Sequence, residues 1–323
     1  MAEFRPIEIS SEHLPVYNPD EFAREFFGRI GQRMELEPQK GTPITIRANA
    51  LPLAPGLIAG GGSISAMTSH RTSAMRSDGN SDILICFPVQ RMLMREAGGR
   101  EFAAGPGQAV LGSLDRPVSF VSPERRNDFV TLQLSRAMLS PYVTSIDDKL
   151  MRASDASDPR LRLLRGYAAS LAPDALASPH LRDLAARHLL ELAALAIGPT
   201  ADGHDAAMRG GLRAARLAQA KQVVMAHLER PELSAAFVAA RVGVTERYVR
   251  KLFEGEDESL ATFISARRLD RAMTMLADST RRDRRILDIA LSLGFGDVRT
   301  FNRAFRARFD RTPSEMRHEA RAS

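Results

Sequence analysis

Four polar side chains near the end of the chain, Arg299, Asn302, Arg303 and Arg306, recur at the spacing that gathers residues on one side of an α-helix. A guanidinium offers a fixed fork of donors to guanine or to phosphate, and a carboxamide can pair with adenine in two places at once. The chemistry on offer is recognition of duplex DNA rather than the making of bonds. A helix used in this way must be held by its other side. Phe301, Phe305 and Phe309 fall at steps of four and supply that anchor. Just upstream, Ile286, Ile289, Ala290 and Leu293 form the buried stripe of a preceding helix. Gly294 stands where that helix must stop and reverse, a place for positive φ without a Cβ penalty. A helix, a glycine turn and a basic helix make a helix-turn-helix unit.

A second unit lies upstream. Leu233 to Thr245 repeats the logic, with Ser234 as one helix N-cap, Gly243 at the turn and Thr245 as the next N-cap. Val249, Leu252 and Phe253 give the following helix its apolar face, and Arg247, Arg250 and Lys251 are left to meet nucleic acid. The matching roles of Gly243 and Gly294 indicate an internal duplication. Between the units, Leu260, Phe263, Ile264, Leu269, Ala272, Met273 and Leu276 define an amphipathic helix. About seventeen residues at 1.5 Å each make roughly 25 Å of spacer. Two recognition helices held that way can share one face of a duplex, where successive major grooves lie about 34 Å apart. Arg247, Arg250, Arg299 and Arg303 are candidate DNA contacts, and Asn302 suits adenine. Lys251 and Arg306, nearer the edges of their faces, suit phosphate.

The run Asp288-Ile289-Ala290, Gly294-Phe295, Thr300-Phe301, Arg303, Phe305-Arg306, Phe309, Thr312-Pro313 and Met316-Arg317 resembles the signature of the AraC/XylS family of bacterial transcription regulators. The resembling region runs from about Leu217 to Arg317. It departs from the family pattern at Asp310, where most members have glycine, and at Met316, where Tyr or Phe is commoner. Aspartate tolerates the left-handed conformation better than most residues, so a similar turn is expected there. The resemblance implies an activator that binds double-stranded promoter DNA, acts on RNA polymerase, responds to a small-molecule effector and forms a homodimer.

Charge agrees with the motifs. The chain has 323 residues and a formal net charge of +6. Residues 217–323 hold 20 Lys/Arg against 15 Asp/Glu, so nearly all of the excess sits in that third. This is the footprint of a phosphate-binding domain. Met1 to Pro6 lacks the basic and apolar regions of a signal peptide, and no stretch is long and apolar enough to span a membrane. One cysteine, Cys86, precludes an internal disulfide framework and fits a reducing cytoplasm.

Residues 44–135 read as strands, at Ile44–Ile46, Ile83–Phe87, Ala109–Leu111, Val118–Val121 and Phe129–Leu134. Turns at Ala97-Gly98-Gly99-Arg100 and Ala104-Gly105-Pro106-Gly107 separate some of them. Their order and turn residues resemble the cupin-like sensory domain of the same family. Leu161, Leu164, Tyr167, Ala168 and Leu171 then suit one helix. Leu181, Leu184, Ala185, His188, Leu189, Leu192 and Leu195 suit another, which either caps the barrel or, as the resemblance implies, also pairs two subunits. Glycines, a proline and small polar residues from Gly198 to Gly211 mark a linker.

The expected fold is α+β in two domains. Residues 1–198 form a cupin-like β-barrel or sandwich with flanking helices, 199–216 a linker, and 217–323 an all-α domain with two helix-turn-helix units. Catalysis finds little support. No His-x-His pair exists, His70 stands alone in the strand region, and Cys86 lies in an apolar strand. Gly60-Gly61-Gly62-Ser63 lacks the Lys and Ser/Thr of a phosphate loop and reads as a turn or bulge. His188 and His227 fall within helical patterns and read as structural. No cofactor, metal or catalytic residue is expected. An enzyme tethered to a DNA-binding domain, and a regulator without an effector, remain the alternatives.

Overall fold

Alternating apolar residues build the first part of the protein. The computed structural model describes residues 6–11, 33–40, 42–254, 258–277 and 284–322. The segment Met1–Arg5, where a leader would begin, lies outside them. One sheet orders six strands as β1 (Ile7–Ser10), β3 (Ile46–Ala54), β4 (Leu57–Ile64), β11 (Asn127–Leu134), β6 (Ile83–Pro88) and β9 (Val110–Ser113). The other orders five as β2 (Glu35–Pro38), β5 (Met67–His70), β10 (Val118–Ser122), β7 (Met92–Glu96) and β8 (Glu101–Ala104). Neighbouring strands are antiparallel throughout. Because successive side chains alternate, Leu84, Cys86, Phe129 and Thr131 face a cavity between the sheets. Ile83, Ile85, Leu132 and Leu134 point the other way and are fully buried. There α1 (Pro159–Ala169) and α2 (Pro179–Ile197) close the core.

The expected strands from Ile83 onward are present, and both glycine turns fall between strands where the spacing put them. Ile44 and Thr45 precede β3 rather than open it. Gly60-Gly61-Gly62-Ser63 is neither turn nor bulge: it is the middle of β4, paired on both sides by β3 and β11. A Cβ on Gly60 would stand 2.6 Å from the Asn49 carbonyl oxygen, and one on Gly61 2.8 Å from that of Phe129. These glycines permit close approach of three strands, which in sequence looks the same as flexibility.

Two helical expectations also change. The leucines of α2 do not form a free pairing stripe: Leu189 and Leu192 are buried in the core of their own chain. Leu181 is the large apolar residue that α2 exposes. The stretch 199–216, read as a linker from its glycines, is helical, with α3 (Ala201–Arg209) followed by α4 (Gly211–Ala226). The buried Glu191 carboxylate accepts the Gly211 N–H at 2.7 Å. A Cβ on Gly210 would lie 2.9 Å from that same carboxylate. The glycines serve packing against Glu191. His188 is structural, as expected, since its Nδ1 lies 2.8 Å from the Tyr167 hydroxyl and burial lowers its pKa.

Contacts divide the chain into units 1–215 and 216–323. The second unit continues with α5 (Ala235–Val242), α6 (Glu246–Glu254), α7 (Leu260–Ala277), α8 (Ile286–Ser292), α9 (Val298–Phe309) and α10 (Pro313–Ala322). It has two small cores. One joins Val224, Val238, Val249, Phe253 and Phe263, and the other Leu269, Leu276, Ile289, Leu293, Phe301 and Phe305. Helix α7 contributes to both.

Candidate nucleic-acid interface

Each half of the second unit is a helix pair set by its caps. In the first, Ser234 Oγ accepts the Phe237 N–H at 3.3 Å and starts α5. Gly243 ends that helix with φ +72°, and the Val244 N–H reaches back to the Ala239 carbonyl at 3.1 Å. Thr245 Oγ1 then accepts the Tyr248 N–H at 3.2 Å and starts α6. Val249, Leu252 and Phe253 bury one face of α6, which leaves Arg247, Arg250 and Lys251 exposed on the rest. Arg250 pairs with Glu246 one turn back at 3.1 Å, both well solvated. Such a pair is worth a few tenths of a kcal/mol and holds the guanidinium weakly against a phosphate or a base.

The second half repeats this with different parts. Gly294 has φ +79°, and the Phe295 N–H meets the Ala290 carbonyl at 3.1 Å, the same backward bond as at Val244. Asp297 caps α9 twice, accepting the Thr300 N–H at 2.7 Å and its hydroxyl at 2.9 Å. Those bonds, led by the backbone N–H, hold the Asp297 carboxyl below its usual range. Phe295, Phe301, Phe305 and Phe309 stack in series with ring centres 5.1, 5.6 and 4.7 Å apart, which fixes the inner face. Arg299, Asn302, Arg303 and Arg306 are all exposed, and no hydrogen bond or ion pair within the described residues engages their side chains. Asp310 adopts the expected left-handed turn, with φ +54°. Thr312 and Glu315 then exchange bonds of 2.8 and 3.2 Å in a capping box that starts α10 at Pro313.

A residue that motif reading passed over joins the halves. Arg268, on α7, is 9 % exposed. Its guanidinium donates to the carbonyls of Leu228 at 3.0 Å, Arg230 at 2.7 Å and Gly294 at 2.7 Å. Two of those acceptors precede the first helix pair, and the third is the turn of the second. Burial lowers the Arg268 pKa, yet three carbonyl oxygens still favour the cation. Arg308 adds a forked ion pair from α9 to Asp270 on α7, at 2.8 and 2.9 Å. The signal for Arg268 was present as a charged residue in line with the buried positions Ile264 and Ala272.

Residues 238–319 match the model of a helix-turn-helix domain, and residues 23–198 that of the AraC-binding-like domain. The chain belongs to the AraC/XylS family of transcription regulators. The regulatory protein SoxS of Escherichia coli is 38 % identical over 93 residues, which cover 28 % of this chain and 83 % of SoxS. The transcriptional activator NphR of a Rhodococcus species is 25 % identical over 271 residues, 79 % of this chain and 75 % of NphR. The crystal structure of the AraC-like transcriptional activator CuxR overlaps 83 % of this chain and 95 % of its own, with a TM-score of 0.47 and 16 % identity. As a member of this family the chain is a sequence-specific DNA-binding transcription regulator.

In this AraC/XylS regulator the remaining candidates sit in the first unit. A cavity of about 140 Å³ lies between the sheets. Cys86 lines it, and burial pushes its thiol up to about 12, far from a reactive thiolate. His70 stands 3.9 Å from Glu35 across β5 and β2. Among the described residues no three His, Cys, Asp or Glu side chains converge as metal ligands would, and no helix is long and apolar enough to cross a membrane.

Proposed function

We propose that the chain is an effector-responsive activator that reads promoter DNA with α6 and α9. The observation that carries this reading is the pair of exposed polar stripes, each on a capped helix whose opposite face is buried. Residues 217–323 are the DNA-binding domain, 1–198 the sensory domain, and 199–216 join them. Arg247, Arg250, Arg299, Arg303 and Asn302 meet bases, while Lys251 and Arg306 meet phosphates. The inter-sheet cavity receives the effector. The regulator works in the cytoplasm, acts on RNA polymerase and pairs with a second copy through a surface other than Leu189 and Leu192. It is not an enzyme, a reading supported by the buried, protonated thiol of Cys86.

The test is binding of the full chain to the promoter region beside its own gene, at several salt concentrations. Arg299→Ala should cost about 1–3 kcal/mol on the specific site and relax discrimination there. Arg306→Ala should weaken all sequences alike and lower the salt slope by about one. Equal losses on every sequence for both variants would show the faces to be wrongly assigned. Sedimentation of the chain as a monomer at high concentration would overturn pairing.

A further inference from the structure

We infer that the effector is a small, uncharged, largely apolar molecule carrying a single hydrogen-bonding group, and that Thr131 and Gln133 receive that group. The inference rests on the reading that the inter-sheet cavity is the effector site, and it narrows what can enter.

None of the described side chains lining the cavity carries a charge. Most are aliphatic, aromatic or thioether groups, such as Ile58, Ile64, Met92 and Phe120. Among the described residues an ion placed there would lose its water and find no counter-charge, so solvation favours a neutral ligand over an anion or a cation. Volume sets a second limit. About 140 Å³ is close to the roughly 150 Å³ of an apolar protein cavity that admits one benzene ring.

Polar groups on β11 supply the third limit. Thr131 and Gln133 line the cavity two residues apart on one strand face. The Gln133 Nε2 donates to the Asp82 carboxylate at 2.9 Å, which turns its amide nitrogen toward Asp82 and leaves Oε1 as an acceptor. No hydrogen bond within the described residues engages the Thr131 hydroxyl. A ligand hydroxyl or N–H can therefore donate to Gln133 and exchange a bond with Thr131. Asn49, Ser69 and Ser122 also line the cavity, from β3, β5 and β10, but the walls are mostly apolar, and a sugar would press many of its hydroxyls against groups that cannot bond them.

Four probes of one size separate these limits: toluene, benzyl alcohol, benzoate and benzylamine, the last protonated at neutral pH. Calorimetry with the full chain at pH 7 should show toluene and benzyl alcohol binding, the alcohol about fivefold tighter, as one net hydrogen bond implies. Benzoate and benzylammonium should bind on the order of a hundredfold more weakly or not at all. Gln133→Leu and the near-isosteric Thr131→Val should each erase the alcohol's advantage and leave toluene unchanged. Thr131→Val carries the test alone if Gln133→Leu fails to fold. Either charged probe binding within tenfold of benzyl alcohol would overturn the inference but leave the effector reading standing. Failure of all four to bind would overturn both, with DNA binding by the second unit untouched.

Discussion

The two turns of the DNA-binding unit have the same backbone and opposite surroundings. Gly243 and Gly294 have φ of +72° and +79°. A Cβ added at Gly243 would meet nothing within 4 Å, whereas one at Gly294 would stand 2.5 Å from Nη2 of Arg268 and 2.7 Å from its Cζ. The first glycine answers only a conformational demand. The second also makes room for the guanidinium that ties the halves together, so a duplicated motif has acquired unequal energetics. If both helices read DNA as proposed, their spacing matters to recognition, and Arg268 bonds to the chain beside both halves.

The largest effect that could break this comparison is at Gly294. Gly294→Ala must carry the left-handed strain of about 1–2 kcal/mol and also displace Arg268 from its carbonyls, each worth about 1–3 kcal/mol if left unpaired. We expect loss of about 4 kcal/mol or more and failure to protect the operator, read by chemical denaturation and footprinting. Gly243→Ala should cost only the strain, about 1–2 kcal/mol. Equal losses at both glycines would remove the distinction.

Arg268→Met comes next. It should lower stability by about 3 kcal/mol, because three carbonyls lose their donor. It should also blunt discrimination between the native operator and one with a single base pair inserted between its halves. Arg268→Lys keeps the charge but not the fork, and should restore less than half of each loss. A variant at full stability that still rejects the inserted operator would leave Arg268 without the role given to it.

The smallest effect sharpens the contrast between the caps. The folded Asp297 carboxyl has a pKa held below 3.8, its ordinary value. Its contribution is therefore complete above about pH 4 and is lost as pH falls through the folded value. Thr245 has no titrating group. Acidification from pH 5 to 3 should speed amide exchange at Thr300 more than at Tyr248, and Asp297→Ala should abolish that difference. Parallel changes at both amides would mean that the caps are equivalent.

Much of this unit was readable in the sequence because its determinants are local. Phenylalanines at steps of four, glycines at turns and Ser234 or Thr245 as caps act within a few residues, and they lie where their spacing put them. Arg268 was missed because its partners are 26 to 40 residues away, beyond any periodicity. Gly60 to Gly62 were misread for the same reason, since only pairing with β3 and β11 explains them. The leucines of α2 show the converse: their stripe was plain, but a stripe does not say whether its cover comes from the same chain or another. Thr131 and Gln133 became candidates only when strand register placed them on the cavity side.

The central claim is that α6 and α9 each enter a major groove. Methylation protection of guanine N7 by the full chain on its operator tests it most directly. The account predicts protection in two successive grooves on one face, about 34 Å apart, with Arg247→Ala plus Arg250→Ala exposing one groove and Arg299→Ala plus Arg303→Ala exposing the other. Protection confined to a single groove, or lost from both grooves equally with either pair, would contradict it.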